Sequence, residues 1–331
     1  MPHPTRRLVL AGLAAGLAAP AFAQGDPWAG AVEAARGLGQ LHSLLIAQGG
    51  EVRVAEAFRG PGLEAPANVK SVSKSIVALV LGGAIDRGVV PGVGATLGEV
   101  APGIIPEGAD RRVSGITLEN LVTLRAGLER TSGPSYGEWV SSGNWVANQL
   151  SRPFVAEPGG RMLYSTGSFH VLGAALAEAS GESLLSMTRD WLGEPLGIEV
   201  APWTRDPQGY YLGGNEMALT PRAMLRIGEM VRQGGAWEGE QVLSRDWIEA
   251  SLRPVTRSPF SGLDYGYGWF LGRAPRGTVA LARGYGGQVI AVAPEMGITA
   301  VITSDPTQPA RSEGYFGDLL RLLDREVLAR A

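Results

Sequence analysis

The sequence predicts an α/β (α+β) fold: one antiparallel sheet built from both chain ends and flanked by helices, with a large helical domain inserted between. Three observations carry this. Short apolar runs bounded by glycines, the strand pattern, occur at 41–58 and again at 267–303. The stretch from 100 to 255 shows helical spacing and helix caps instead. Residues 76–85 are apolar nearly all round, so their helix belongs inside the protein. The expected division is 24–66 with 260–331 as the sheet domain and 67–259 as the mainly helical domain, a cleft lying between them.

Taken in order, 28–40 reads as an amphipathic helix. Residues 41–47 and 52–58 read as a hairpin around Gly49-Gly50. The buried helix follows. Helices are then expected at 118–124 after a Thr117 cap, at 136–150, at 168–179, at 183–192, and at 221–232 after a Thr220 cap, with another opening at Ser244. The period changes at 267–271, 279–283, 289–292 and 298–303, which read as strands. Residues 314–328 close the chain as an amphipathic helix. There is no internal repeat and no low-complexity segment.

Before all this, Arg6-Arg7 precede an apolar run at 8–19 and then Ala21-Phe22-Ala23. That is the pattern of a signal peptide over 1–23, cut before Gln24. The pair of arginines resembles a twin-arginine signal, so the expectation is a periplasmic or secreted protein with no stable membrane anchor after cleavage.

Composition narrows the chemistry. With 45% hydrophobic and 18% charged residues the chain is folded and globular, and a net charge of −3 gives no case for nucleic acid. There is no cysteine, hence no disulfide and no thiolate nucleophile. With three histidines, one of them in the leader, no protein-built metal site and no cofactor is expected.

Ser71-Val72-Ser73-Lys74 opens the buried helix. A spacing of three puts Ser71 and Lys74 on one face of the first turn. That turn also offers free amide N–H groups and the positive end of the helix dipole. Of 29 Lys+Arg, only Lys70 and Lys74 are lysine. An arginine cannot lose its proton near neutral pH; a lysine can. To act as a base, Lys74 must fall from about 10.4 to near 7, roughly 4 kcal/mol, within the reach of burial. Lys70 reads as a solvated charge, and Ser73 and Ser75 as polar residues of a helix start.

Other chemistry is less specific. Tyr164, in a loop just before a helix, is either a proton shuttle for Ser71 or a packed loop tyrosine. Arg283-Gly284-Tyr285-Gly286-Gly287-Gln288 is either a backbone cradle for an oxyanion or a plain hairpin turn. Gly133-Pro134-Ser135-Tyr136-Gly137 matches G-x-S-x-G, but no apolar strand precedes it, and the only later histidine, His170, lies too near. His170 and His42 read as structural. Gly266-Tyr267-Gly268 lacks the strand–turn–helix setting of a nucleotide loop.

Together these motifs resemble the serine β-lactamase and penicillin-binding-protein superfamily, in its class C β-lactamase-like branch of esterases and 6-aminohexanoate-dimer hydrolases. The likeness runs from about 41 to 305. It also rests on Ile116-Thr117-Leu118-Glu119-Asn120-Leu121, Leu219-Thr220-Pro221-Arg222 and Tyr265-Gly266-Tyr267-Gly268-Trp269. It implies a β-lactamase/transpeptidase-like fold, with Ser71 as the acyl-accepting nucleophile, Lys74 as its base and Tyr164 as the second-motif tyrosine. The amides of Ser71 and of a residue near Gln288 would form the oxyanion hole. Thr166, Tyr285, Gly286 and Gly287 would meet the substrate. Hydrolysis would be two-step, without a metal.

Two departures bear on the substrate, expected to be a small-molecule ester or amide. The second motif is Tyr164-Ser165-Thr166 where Tyr-x-Asn is common. Tyr285 stands where β-lactamases and peptidases carry a lysine or histidine that holds a substrate carboxylate. The resemblance therefore favours an esterase or a linear amidase over a β-lactamase or D-alanyl carboxypeptidase, with a non-hydrolytic ligand-binding relative as the reading from another class. Trp139, Trp145, Tyr210 and Tyr211 are candidates for an apolar substrate cleft, and core packing is the equal alternative for the two tryptophans.

Overall fold

The computed structural model describes residues 26–331, so the leader expected at 1–23 lies outside the described residues. An eight-stranded sheet forms the backbone of the molecule. Its strands are β1 (Leu41–Gln48), β2 (Glu51–Ala57), β3 (Thr256–Arg257), β4 (Asp264–Tyr265), β5 (Phe270–Arg273), β6 (Thr278–Gly284), β7 (Gln288–Ala293) and β8 (Ile298–Ser304). The spatial order is β2-β1-β8-β7-β6-β5-β4-β3. Every pairing is antiparallel. The N-terminal hairpin joins the C-terminal strands through β1 and β8, with Leu45 opposite Val301 and Ile46 opposite Ala300. Both ends of the chain therefore build one sheet, as the strand pattern implied.

Every residue of β7 and β8 is buried, so helices cover both faces of the sheet centre. The principal helices are α1 (Ala29–Gly37), α2 (Val72–Asp86), α3 (Thr166–Ser180), α4 (Pro221–Arg232) and α5 (Tyr315–Leu322). Helix α4 comes down on Ile290 and Thr299 because Gly228 has no side chain; a Cβ there would stand 2.9 Å from Ile290 Cγ2. Helices α1 and α5 pack on each other, and α1 on β1. Within 67–259, then, α4 and the edge strand β3 belong with the sheet.

Helix α2 is the central rod. Residues Val72 through Ala84 are all buried, as its uniform apolar surface requires. Its interior glycines cost about 1 kcal/mol each relative to alanine. In exchange Gly82 lets the Trp247 ring lie against the helix backbone, and Gly83 admits Trp191. The turn before β5 clamps the same helix: Ser75 Oγ donates to the Gly268 carbonyl at 2.6 Å, and Gly268, at φ +80°, sits against Ala78.

Several elements differ from expectation. The helix expected over 136–150 is two short ones, Tyr136–Val140 and Trp145–Leu150. The break falls at Ser141 to Asn144, where Asn144 Oδ1 accepts from the Ala147 amide at 2.8 Å and starts the second helix. The strand expected from 267 begins only at Phe270, because Gly268 holds a left-handed φ that a strand cannot continue through. The C-terminal helix is regular only to Leu322 and then widens into π and 3-10 turns.

Candidate active site

Ser71 occupies the N-cap of α2, yet its hydroxyl does not cap the helix. It faces Lys74 instead, whose Nζ lies 3.0 Å from Ser71 Oγ. Lys74 is 2% exposed, and burial alone brings its pKa down from 10.5 to about 7. The same Nζ meets Thr166 Oγ1 at 3.2 Å and donates to the Gly214 carbonyl at 2.7 Å. Among the described residues no carboxylate touches it, so the neutral amine is accessible near neutral pH. Thr166 is itself fixed by Ser132, whose Oγ lies 2.9 Å from Thr166 Oγ1 and accepts from the Thr166 amide at 2.8 Å.

Tyr164 covers the amine, with its ring centroid 5.0 Å from Lys74 Nζ. Burial raises its phenol above the usual value, while the adjacent Ser71 hydroxyl and the charge of Arg283 pull it partly back. The ring stacks on Phe270 at 6.2 Å and meets Phe260 edge-on at 5.5 Å. A phenol so placed can pass a proton between Ser71 and a bound group.

A cavity of about 580 Å³ opens over Ser71. Tyr136, Tyr164, Phe260, Phe270, Tyr285 and Phe316 give it an aromatic wall, and Lys70, Arg130, Glu216 and Arg283 its charges. Arg283 faces the cleft. Its guanidinium carbon lies 4.8 Å from the Phe270 centroid and 3.6 Å from that of Phe316. Burial lowers its pKa to about 10, and its Nη1 has no hydrogen-bond partner among the described residues.

Lys70 is not a solvated charge. Its Nζ pairs with Glu216 Oε1 at 3.0 Å, and Asn68 Nδ2 donates to the other carboxylate oxygen at 2.6 Å. Lys70 and Glu216 both hold positive φ, +50° and +67°, a strained backbone placed at the cavity rim. Ser73 and Ser75 are buried struts rather than helix-start polar residues: Ser73 Oγ donates to the Lys70 carbonyl at 2.6 Å and accepts from the Met217 amide at 3.2 Å.

Of the residues expected from the glycine-rich hairpin, Tyr285 reaches the cavity, and Gly286, Gly287 and Gln288 do not. Gly284 and Tyr285 line the cavity, and the amides of Tyr285 and Ser71 have no hydrogen-bond acceptor among the described residues. Gln288 lies fully buried, its side chain tied to Ser304 at 2.7 and 3.2 Å, so it is off the cavity wall. Gly286 packs on the backbone at Asp305, and Gly287 packs under Tyr315 and Leu319, so these two shape the turn rather than the wall.

Trp139 and Trp145 also sit elsewhere. With Leu212 they form a separate buried cluster, Trp139 Nε1 donating to the Trp145 carbonyl at 2.9 Å. Tyr210 and Tyr211 are spent on Glu178 and Arg205. Ser135 of the G-x-S-x-G match lies in a 3-10 turn, not on a strand-to-helix elbow. Its neighbour Tyr136 does reach the cavity, where its hydroxyl accepts from Asn215 Nδ2 at 3.0 Å. Sequence reading missed Ser132, Gly214, Asn215 and Glu216; none stands in a motif, and only the fold brings them to α2. Among the described residues, no group of three or more His, Asp or Glu is placed to hold a metal ion. No described helix is long and apolar enough to cross a membrane.

Comparisons with known proteins agree with this fold. A family model described as Beta-lactamase matches residues 42–323. No curated protein matches the chain in sequence. Among solved structures, EstCE1, a hydrolase with promiscuous acyltransferase activity, superposes with a TM-score of 0.74 at 19% identity over 90% of this chain and 98% of its own. A penicillin-binding protein homolog from Caulobacter crescentus gives 0.74 at 16% identity over 92% and 98%. A D-stereospecific amidohydrolase from a Streptomyces species gives 0.69 at 16% identity over 89% and 97%. At these identities the likeness is one of fold.

Proposed function

The chain belongs to the beta-lactamase family, and from that premise we propose that it is a serine hydrolase cleaving carboxyl esters or linear amides through an acyl-enzyme on Ser71. The observation that carries this is the contact between a buried, near-neutral Lys74 amine and the Ser71 hydroxyl at 3.0 Å. Neutral Lys74 takes the Ser71 proton as Oγ attacks the substrate carbonyl. The free amides of Ser71 and Tyr285 stabilise the developing oxyanion. The proton passes by way of Tyr164 to the leaving alcohol or amine. Tyr164 and Lys74 then draw a proton from water, which attacks the acyl carbon and frees Ser71.

The test is intact-mass labelling with a fluorophosphonate, together with p-nitrophenyl acetate and butyrate turnover. One adduct per chain and turnover in the wild type, both lost in Ser71→Ala, support the reading. Equal turnover in the mutant refutes it.

A second reading, a β-lactamase or D-alanyl carboxypeptidase, is favoured by one observation: Arg283 supplies the cleft with a cation that Tyr285 does not. Burst acylation by a penicillin or nitrocefin supports it, and no labelling by either counts against it. We also propose export, from the leader pattern at 1–23. Protein recovered from the periplasm or medium with Gln24 at its N-terminus would support that, and retention of Met1 in the cytoplasm would contradict it.

A further inference from the structure

Behind the amine lies a buried pair that the acyl-transfer steps do not use. His170 and Asp206 have no exposed side-chain surface, and His170 Nε2 stands 3.0 Å from Asp206 Oδ2. The other carboxylate oxygen accepts from the amides of Gln208 and Tyr210, each at 2.9 Å. On the far side of the ring, the Gly213 amide donates to His170 Nδ1 at 3.4 Å. A ring nitrogen that accepts carries no proton, so these partners assign the neutral tautomer with its proton on Nε2. Trp139 and Trp145 stand edge-on to the imidazole, each with centroids 5.6 Å away, and hold it in place. A polar pair this deep is costly to bury unless every partner is met.

Its place in the fold gives the pair a use. His170 and Thr166 are four residues apart on α3 and share one face. Thr166 touches Lys74 Nζ directly, at 3.2 Å. His170 holds Gly213, and the next residue, Gly214, takes the Lys74 proton donor at 2.7 Å. The two glycines let this loop press on α3. A Cβ at Gly213 would strike the Phe169 carbonyl, and one at Gly214 would stand 3.2 Å from Lys74 Nζ. A neutral amine has two N–H bonds and one lone pair. With Gly214 taking one N–H and Thr166 placed for the second, the lone pair is left for the Ser71 hydroxyl.

We propose that His170, held by Asp206, is a positioning residue for the base: it fixes Gly213 and Gly214 so that the Lys74 lone pair points at Ser71. The proposal rests on the reading of Lys74 as the base. The other ionisable groups at these residues are Tyr164 over the amine and Tyr210 beside Asp206. Burial raises both phenols, so neither titrates between about pH 5 and 9.

The test compares His170→Asn and His170→Gln. An Asn oxygen can occupy the Nδ1 position and keep the Gly213 bond. A Gln amide can occupy the Nε2 position, keeping the Asp206 bond and losing Gly213. On p-nitrophenyl acetate, Gln should lower kcat by about tenfold to a hundredfold with KM within about twofold. Its acid limb in kcat/KM should move up by roughly one pH unit, as water reaches the amine. Asn should stay within about threefold of wild type with an unmoved limb. Gly213→Ala, whose added Cβ would strike the Phe169 carbonyl and lie 3.0 Å from His170 Cα, displaces the same loop while keeping both side chains of the pair; it should reproduce the Gln result and serves if Gln does not fold. The proposal is overturned if Asn and Gln behave alike with the wild-type limb, or if Gly213→Ala leaves that limb in place. If Ser71→Ala retains wild-type turnover, the hydrolase reading has failed instead.

Discussion

The Lys74 amine lies 3.0 Å from the Ser71 hydroxyl oxygen, on a helix closed to water from Val72 to Ala84. Sequence spacing brings the two together, and the closed packing sets the amine's proton affinity. The first expectation follows from both. Lys74→Arg keeps much of the length but is locked in the charged form, because a guanidinium cannot shed its proton. It should lose on the order of 10³-fold in kcat on p-nitrophenyl esters while still folding. Activity within a few-fold of wild type would show that another group is the base.

The same burial gives a pH dependence of stability with a definite sign. Folded Lys74 has a pKa of about 7, against about 10.4 in the unfolded chain. Between these values the unfolded chain binds the extra proton, so stability rises with pH across that window. Below about 7 both states are protonated and the burial penalty stands in full. Lys74→Met should therefore be more stable than wild type near pH 6.5, by roughly 2 kcal/mol after the lost hydrogen bond to Gly214; the gap should close between about pH 8 and 9 and reverse by about pH 10, where the ionisation penalty has faded and the lost hydrogen bond remains. Urea denaturation at the two pH values checks this.

Tyr164→Phe removes the shuttle and leaves the ring against Phe270 and Phe260. It should cost about 10²- to 10⁴-fold in kcat with little change in KM. Stopped-flow and intact mass should show which half-reaction has slowed. A variant at wild-type kcat would remove Tyr164 from the proton path.

Gly284→Ala probes the wall beside Ser71. The added Cβ would strike the Val69 carbonyl and lie 2.9 Å from Gln288 Cβ. Strand β6 would have to move away from the loop before α2, and the Tyr285 amide with it. The expected result is a destabilisation of about 1–3 kcal/mol and a larger loss in acylation than in KM. A fully active, fully stable variant would contradict this placement of the oxyanion donors.

What the sequence displayed and what it hid follow physical lines. Ser71 and Lys74 were legible because a three-residue helical spacing fixes their geometry locally, and the uniformly apolar run announced burial. The two-ended sheet was legible from the alternation between glycine-bounded strands and capped helices. Lys70 was misread because its partner, Glu216, is 146 residues away. Trp139 and Trp145 were ambiguous because an aromatic side chain fits a core and a cleft equally well. In the hairpin after Arg283 the sequence points to Tyr285 as a cleft residue, but to Gln288 for the oxyanion amide, because glycines do not reveal which amide is left unpaired. The edge strand β3 and its neighbour β4 are two residues each, too short to leave a periodic trace.

The central claim is that Lys74 is a neutral amine at working pH, and the chain's two lysines make it directly measurable. Protein labelled with ¹³C at lysine Cε should give two signals by NMR, and Lys70→Arg leaves the one from Lys74. That signal should titrate with a midpoint near 7. A Lys74 signal titrating near about 10 would contradict the account.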